Sequence, residues 1–338
     1  LIATLGLGSA WAGNPDREGS AGASQLLINP WAASNGLVGA NMASVRGLES
    51  VFTNVAGLAF IEQSELITSN SIYLVGTGIQ LNSVGFATRV GSSGVLGLTV
   101  TSMKFGDIPI TTEDLPEGGI GTFSPGFSNI GVSYSKAFSN SIYAGFTLRI
   151  IGESISNVKA SGVAFDAGIR YVTGDNDRMR FGISLRNVGP PMRSAGDGLT
   201  VTATPQGAAN SLTVLQRSER YELPSLVNIG IAYDVVTEEK LVLELNGMFT
   251  SNSFTKDQFG FGAEARIGNN LEIRAGYLAE QGFGTQDNVT TTAYTGPSGG
   301  LTVKLPAGSS GSIIGIDYSY RTTNPFNGTH TIGLKISI

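Results

Sequence analysis

Phe259–Ile267 reads FGFGAEARI, and its side chains alternate strictly between two kinds. The odd-numbered residues are apolar, and the even-numbered residues are glycine, glutamate or arginine, including Glu264 and Arg266. A period of two is typical of a β-strand whose two faces meet different surroundings. The stretch therefore predicts a strand with one continuous apolar face and one polar face.

The same alternation recurs along the chain in segments of about ten residues that are bounded by turn residues. Val227–Asp234, Leu271–Tyr277 and Ile314–Arg321 repeat it clearly. We count fourteen such segments, an even number. They begin near Glu65, Ile79, Gly94, Ser128, Ser141, Gly162, Met179, Leu226, Leu241, Asp257, Leu271, Gly299, Ser312 and Thr329.

The connections between these segments alternate in length. An antiparallel meander places alternate connections at opposite ends, so the long ones gather at one end, as in bacterial outer-membrane barrels. The short connections are Gly91–Ser93, Ser139–Asn140, Gly174–Arg178, Thr237–Lys240, Gly268–Asn270 and Pro306–Ser310. The long ones are Asp107–Phe127, Gly189–Ser225, Gln281–Ser298 and Arg321–Gly328.

The fold class follows from the alternation and the loop asymmetry together. We predict an all-β chain that forms a 14-stranded antiparallel transmembrane β-barrel in the bacterial outer membrane, in contact with its lipid. A soluble β-sandwich or propeller also alternates. The long apolar faces, the asymmetry of the loops and the lack of a blade-length repeat favour the membrane barrel.

The composition of the 338 residues restricts the function. The net charge of −5 disfavours a general nucleic-acid binder, so we expect no nucleic-acid partner. The chain has no cysteine and a single histidine, His330, which enters the last strand. Thiol nucleophiles, iron–sulfur clusters and zinc fingers are excluded, and no Ser/His or paired-carboxylate site is recognisable. We expect no enzymatic activity, no metal and no cofactor.

The N-terminal region differs from the rest of the chain. Leu1–Ala12 is apolar and ends in a small-x-small pattern, which predicts the remnant of a signal peptide. Residues 13–64 lack the alternation, and a short helix is expected near Leu48–Thr53. So short a segment is too small for a separate stable domain. We expect it to plug or line the periplasmic mouth of a barrel formed by residues 65–338, rather than to hang as a loose tail.

Gly22–Phe60 resembles the opening of the PorV/PorQ family of Bacteroidetes outer-membrane proteins. Its last element, Asn54–Ala59, reads NVAGLA and matches the NPAGLA signature of that family except at Val55. Gly36–Ala43 corresponds loosely to the glycine-rich run that precedes the signature. Later segments, such as ELPSLVNIGIAYD at 222–234, also look like members of the family.

The resemblance implies a barrel similar to the long-chain fatty-acid transporter fold. It also implies a non-enzymatic accessory of type IX protein secretion, which binds translocon subunits, secreted cargo or a surface-attachment component. The alternative is a transporter of hydrophobic small molecules, which needs an apolar tunnel and an N-terminal hatch. Exposed binding loops favour the first function, and a continuous tunnel favours the second.

One group of candidate functional residues carries charge on the inward face of the strands. Its members are Asp166, Arg170, Glu264, Arg266, Arg274, Asp317 and Arg321. Opposite charges one or two pleats apart, such as Asp166 with Arg170 and Asp317 with Arg321, either form salt bridges that close the lumen or line a polar permeation path.

A second group lies in the long connections, where apolar residues are frequent. The candidates are Ile108, Ile110, Leu115, Phe123, Phe127, Pro190, Pro191, Met192 and Tyr221. Apolar residues in loops of this length indicate either contact with a protein partner or folding back over the mouth of the barrel.

Overall fold

The computed structural model describes residues 17–204, 206–207, 210–282, 292–307 and 311–338. The predicted signal peptide, Leu1–Ala12, lies outside the described residues. Fourteen long strands run antiparallel in one sheet. They are β1 Ser64–Tyr73, β2 Ile79–Val90, β3 Gly94–Lys104, β4 Gly126–Ala137, β5 Ile142–Ile155, β6 Val158–Thr173, β7 Met179–Val188, β8 Leu226–Glu238, β9 Leu241–Asn252, β10 Gln258–Ile267, β11 Leu271–Glu280, β12 Gly296–Ala307, β13 Ser312–Arg321 and β14 Thr329–Ser337.

The sheet closes because its first and last strands pair. Glu65 on β1 lies opposite Ser337 on β14, and the register continues to Ile72 opposite His330. Every barrel strand therefore has two neighbours, and the predicted fold class is confirmed. The predicted strand starts are close to the observed ones, and the largest difference is at β6, which begins at Val158 rather than Gly162.

The outer face of the barrel is apolar along most strands. Phe86, Leu98, Val132, Leu148 and Ile183 point outward and are among its exposed side chains. A closed sheet with such an exterior satisfies its backbone hydrogen bonds internally and matches a hydrocarbon surrounding. The protein is therefore an outer-membrane barrel.

Within the described ranges, no helix is long and apolar enough to cross a membrane.

The long connections carry small elements of their own at the extracellular end. Short strand pairs form between Ile108–Pro109 and Thr122–Phe123, between Met192–Ala195 and Arg220–Tyr221, and between Thr200–Ala203 and Leu212–Leu215. A single 3₁₀ turn lies at Asp197–Leu199 in the same connection, and another at Asp175–Asp177 in a short connection at the opposite end of the barrel.

Residues 24–61, which we call the hatch, lie inside the barrel. The hatch contains one short helix, α1, at Ala32–Gly36. Its large apolar side chains Trp31, Leu37, Leu48 and Leu58 are completely buried. Single 3₁₀ turns make up the rest, at Ser24–Leu27, Ala40–Ala43, Leu48–Phe52 and Val55–Phe60.

Inward-facing glycines in the wall provide the space for the hatch, and we call them the glycine belt. A Cβ atom at Gly168 would lie 2.2 Å from Oδ1 of Asn54, and one at Gly276 would lie 2.9 Å from the carbonyl carbon of Leu37. Any larger residue there would have to displace the hatch. The belt comprises Gly85, Gly97, Gly168, Gly182, Gly230, Gly262, Gly276 and Gly300.

We expect Gly168→Ala to lower the free energy of unfolding by about 1–3 kcal/mol, because overpacking forces Asn54 off the wall. The measurement is urea unfolding followed by the fluorescence of Trp31, which is buried in the hatch. Gly247→Ala is the matched control, since its added methyl would meet only Ile231, at an ordinary 3.4 Å. Equal losses in the two variants would contradict the role assigned to the glycine belt.

Candidate functional site

Side chains of the wall donate hydrogen bonds to backbone carbonyls of the hatch. Buried backbone acceptors need partners, and the short turns of the hatch leave many of them without an internal donor. The donors and acceptors are Ser69 to Pro30, Ser298 to Gly36, Arg170 to Val45, Arg149 to Val51, Ser184 to Thr53 and Ser135 to Ala56. The hatch is thus attached on several sides of the lumen.

Asp166 forms its salt bridge with Arg149 on the neighbouring strand, at 2.7 Å, and not with Arg170. Its other carboxylate oxygen accepts the backbone N–H of Asn187 at 2.7 Å. Asn187 has a left-handed φ of 58°, and the β6–β7 register shifts there, between Phe165 and Ala167. Asp166 and Arg170 share the inward face but do not pair, because this bulge aims the carboxylate across the sheet toward the neighbouring strand.

Arg170 contacts the hatch instead. Its Nη1 donates to the carbonyl of Val45 at 2.8 Å, and its guanidinium lies 4.5 Å from the centre of the Phe60 ring. Arg149 is arranged in the same way, 4.4 Å from the ring centre of Phe52. These arginines join the wall to the hatch through one carbonyl and one aromatic ring each.

A chain of ion pairs, which we call the ionic ladder, covers the periplasmic part of the wall from β7 to β12. Arg180 bridges Asp234 and Glu244, the second at 3.1 Å. Its further pairs are Arg266 with Asp234, Glu244 and Glu264, Arg274 with Glu264 and Glu272, and Lys304 with Glu272.

The ladder contains three of the predicted lumen residues, Glu264, Arg266 and Arg274. Asp317 and Arg321 do not pair with each other. Asp317 accepts a hydrogen bond from Thr302, and Arg321 lies two pleats nearer the extracellular end, beside Tyr294. Two pleats separate these side chains on the same face, and each has a closer partner on a neighbouring element.

A polar recess of about 240 Å³ lies between the ladder and the periplasmic side of the hatch. Glu49 of the hatch reaches across it, with a carboxylate oxygen 3.6 Å from Nζ of Lys335 and the other accepting from Ser34. Burial raises the pKa of Glu49 to about 7, although Lys335 opposes the shift, and Asp317 and Glu65 add to it. Among the described residues, no group of three or more His, Asp or Glu side chains is placed to hold a metal ion.

A larger cavity of about 480 Å³, which we call the upper cavity, lies between the hatch and the extracellular mouth. Its floor is formed by hatch residues that include Gln25, Ile28 and Phe52. Its walls combine apolar residues with amides, threonines and two arginines, Arg186 and Arg321. The apolar and aromatic wall residues are Tyr73, Leu74, Ile79, Met103, Phe105, Leu226, Met248, Leu278 and Tyr294.

An apolar cluster beside the upper cavity contains two residues that were predicted in loops. Phe127 is 3% exposed because β4 begins at Gly126, so the alternation turns this side chain into the lumen. Met192 is 2% exposed because its short strand pairs with Arg220–Tyr221 and folds back over the mouth. Of the two alternatives for these loop residues, burial inside the mouth describes Phe127 and Met192 better than contact with a partner. Tyr221 is half-buried and donates to Glu153 at 2.6 Å.

The remaining loop candidates lie at the surface. Ile108, Ile110 and Leu115 are exposed, and Phe123 is half-buried opposite Ile108 in the short strand pair. Pro190 and Pro191 are also exposed, just before Met192. Both long connections therefore contain exposed candidates, and Phe127 and Met192 are the two candidates that are fully buried.

Several solved structures of outer-membrane proteins have a fold similar to that of this chain. The CymD monoaromatic hydrocarbon channel is similar with a TM-score of 0.58 and 14% identity, covering 92% of this chain and 97% of that one. The likeness shows that this chain has the fold of a 14-stranded outer-membrane barrel. The Pseudomonas putida toluene transporter TodX is similar with a TM-score of 0.56, 11% identity and coverage of 92% and 98%. A Pseudomonas aeruginosa FadL homologue is similar with a TM-score of 0.54 and 13% identity, and the match covers 90% of this chain and 96% of that one.

Sequence similarity gives nothing comparable. No protein-family model matches the chain, and no curated protein matches it. The structural likeness at these identities concerns the fold.

Several residues of the site were not singled out from the sequence. Arg149, Arg186 and Glu244 each occupy an inward position of a recognised strand, so the alternation alone assigned their direction. No sequence pattern pointed to Glu49, because apolar and polar residues do not alternate regularly in the hatch. Only the packing of the hatch against β14 brings its carboxylate to Lys335.

We expect Arg149→Met to lower the free energy of unfolding by about 3–5 kcal/mol, because it leaves the carboxylate of Asp166 buried without its cation. Adding Asp166→Asn should restore part of this loss. The neighbouring Ile150→Met, on the exposed outer face, is the control and should change stability little. Urea unfolding in detergent measures the free energy of unfolding of all three variants. If the double variant loses as much stability as Arg149→Met alone, the role assigned to the Arg149–Asp166 ion pair is contradicted.

The raised pKa of Glu49 makes stability depend on pH. Between pH 4.5 and about 7 the folded protein keeps a proton that the unfolded chain has released. This contribution therefore stabilises the fold at low pH and is lost as the pH rises through about 7. We expect the free energy of unfolding to fall by roughly 2–3 kcal/mol more in the wild type than in Glu49→Gln between pH 5 and pH 8. If the stability of the wild type and that of Glu49→Gln change equally with pH, the raised pKa of Glu49 is refuted.

Proposed function

We propose that the chain is an outer-membrane channel for hydrophobic small molecules. The observation that carries this proposal is the upper cavity, whose volume of about 480 Å³ falls in the range typical of small-molecule sites. Its lining is largely apolar and aromatic, with a few amide and hydroxyl groups. The structures of similar fold named above are a monoaromatic hydrocarbon channel and a toluene transporter, which supports the same reading.

The hatch would separate this cavity from the periplasm. Its apolar residues Leu37, Leu48 and Leu58 are completely buried inside the barrel. Below the hatch, the polar recess is lined by charged residues such as Glu49 and Lys335. A ligand that enters the upper cavity therefore needs a shift of the hatch to continue along the barrel axis.

Uptake of radiolabelled toluene by cells that carry the protein in their outer membrane tests the proposal. Uptake should exceed that of cells with an empty vector. Met248→Trp, which fills the upper cavity, should reduce it strongly, whereas Ile229→Trp on the outer face should not. Uptake equal to that of the vector cells, with the barrel folded in the membrane, would overturn the channel function.

A disulfide tests whether the hatch must move. Ala40→Cys with Gly260→Cys suits this purpose, because a Cβ at Gly260 would lie 3.6 Å from that of Ala40, within the range of about 3.5–4.5 Å for disulfides. The chain has no other cysteine. We expect the oxidised form to block uptake and reductant to restore it. Unchanged uptake after oxidation would show that the ligand leaves through the wall.

A second candidate function is that of a type IX secretion accessory. Two features support it: the resemblance of Gly22–Phe60 to the PorV/PorQ family, and the exposed apolar residues Ile108, Ile110 and Leu115. Pull-down of the tagged protein from outer membranes in mild detergent tests it. Stoichiometric translocon subunits or cargo, lost in Ile110→Asp, would support this function. A barrel that is recovered alone would exclude it.

A further inference from the structure

A groove of about 680 Å³ runs across the outer face of the barrel, over β13, β14, β1, β2 and β3. The outward side chains that line it are Thr68, Asn70, Asn82, Val84, Val100, Ser102, Ile316, Ile332 and Leu334. The wall behind it is closed, because these five strands pair in continuous register. The groove is therefore a feature of the lipid-facing surface and is separate from the lumen.

The groove changes from apolar to polar toward the extracellular end. The register places Asn70, Asn82 and Ser102 side by side in one row across the strands. In the next row toward the periplasm, Val84 and Val100 occupy the positions below Asn82 and Ser102. A molecule that fills the groove therefore meets aliphatic side chains at one end and hydrogen-bonding groups at the other.

The two amides of this row satisfy each other only in part. Nδ2 of Asn70 donates to Oδ1 of Asn82 at 2.8 Å. Among the described residues, Oδ1 of Asn70 and the amino group of Asn82 have no further partner, although both side chains are exposed on the outer face. Amide groups that face hydrocarbon without a partner are unfavourable. The row is thus suited to a ligand that brings its own amide or hydroxyl groups to this height.

Positive charge lies above the amide row. Lys104 is the last residue of β3, two residues beyond Ser102 on the same face, and it is exposed. A second exposed lysine, Lys159 on β6, lies in the same row as Lys104, because the register runs through Gly126 and Ser154. Three strand spacings, about 14 Å, separate the two lysines. Two cations thus mark the extracellular border of this outer surface.

Neither lysine has an acidic partner among the described residues. The lysines that form ion pairs there are Lys304 and Lys335, which lie inside the barrel. The outward residues that share a row with Lys104 and Lys159 or with the amides include no aspartate or glutamate. Unpaired lysines at the border of a lipid-facing surface attract anionic headgroups, and phosphate oxygens accept strong hydrogen bonds from ammonium groups.

The surface between the two lysines carries small and hydroxylated side chains. Gly126 and Ser154 lie in the lysine row, and Ser128, Gly152 and Ser161 lie in the row below. Their small volume leaves a shallow shelf, and each serine hydroxyl both donates and accepts hydrogen bonds. The shelf therefore suits a flat polar group that carries hydroxyls, such as a sugar ring.

We propose that this outer surface binds an anionic glycolipid of the outer leaflet whose sugar headgroup carries two phosphates. The phosphates contact Lys104 and Lys159, and the sugars lie on the shelf between them. The amide or hydroxyl groups at the head of the acyl chains contact Asn70 and Asn82. The chains continue down the groove along the apolar row that includes Val100.

The charge distribution favours this lipid over a second copy of the chain. Two barrels in one membrane have the same orientation, so a two-fold axis between them runs along the membrane normal and brings equal heights together. Contact through this face would then bring the lysine row of one copy near that of the other. A doubly phosphorylated lipid instead neutralises both lysines. The proposal goes beyond the channel function and is independent of it.

Diphosphoryl and monophosphoryl lipid A provide matched probes, because they share the same chains and differ by one phosphate. Native mass spectrometry of the purified full chain in a neutral detergent measures the binding of each. We expect one molecule of diphosphoryl lipid A to bind at least fivefold more tightly than the monophosphoryl form. Lys104→Gln should remove this preference, because one cation then remains for one phosphate. Lys136→Gln is the control, since Lys136 lies near the periplasmic end of β4.

A second pair of variants tests the groove itself. Val100→Trp fills it and should weaken the binding of both probes at least tenfold, whereas Ile183→Trp on the outer face of β7 should not. The shift in gel mobility on heating checks that each variant is folded. If Lys104→Gln fails to fold, Lys159→Gln provides the same test of the charge.

Equal binding of the two probes by the wild type, or no binding of either, overturns the proposal. A preference that survives both Lys104→Gln and Lys159→Gln also overturns it, as does binding that Val100→Trp leaves unchanged. Recovery of a dimer that Val100→Trp dissociates would assign this face to a second copy of the chain instead of to the lipid.

Discussion

The pairing of β1 with β14 is the constraint on which the rest of the structure depends. In hydrocarbon, a strand edge without a partner would leave its N–H and C=O groups unbonded, and each such group is unfavourable by several kcal/mol. The register from Glu65 opposite Ser337 to Ile72 opposite His330 removes both edges at once. Closure then divides every strand into a lipid face and a lumen face, so the alternation seen in Phe259–Ile267 follows from the environment of the sheet.

Closure also creates a lumen that has to be filled. Here the hatch fills it with irregular backbone, whose carbonyls would be buried without donors if the wall were apolar. Serines and arginines at inward positions supply those donors, as Ser184 does for Thr53. The glycine belt lets the two backbones approach, and Gly276 against Leu37 shows how close they come. Hydrogen-bond donors and glycines on the wall thus act together to hold the hatch, and this explains the eight glycines of the belt among the 47 of the chain.

The barrel could be predicted from the sequence because the two-residue alternation decides which side chains point to the lumen and which point to the lipid. The contacts between side chains were harder to predict because they depend on the register between neighbouring strands. Asp166 and Arg170 share a face of β6, as the alternation requires, yet the bulge at Asn187 decides that Asp166 meets Arg149. Phe127 shows the same dependence, since a shift of two residues in the start of β4 moved it from loop to lumen. Met192 needed information that no local pattern holds, namely that its connection folds back over the mouth.

The hatch divides the lumen into two compartments with different electrostatics. On the periplasmic side, charges are numerous but paired, so the field that a passing molecule meets is small in spite of the many ions. On the extracellular side, the described residues that line the upper cavity are mainly apolar, and Arg186 and Arg321 are the charged ones among them, so each guanidinium acts over a longer range. A molecule that enters from the extracellular end would therefore meet the mainly apolar chamber first and, beyond the hatch, a polar recess whose charges are paired. The hatch thus divides the interior of one closed sheet into a mainly apolar chamber that contains two arginines and a polar recess whose charged residues form ion pairs.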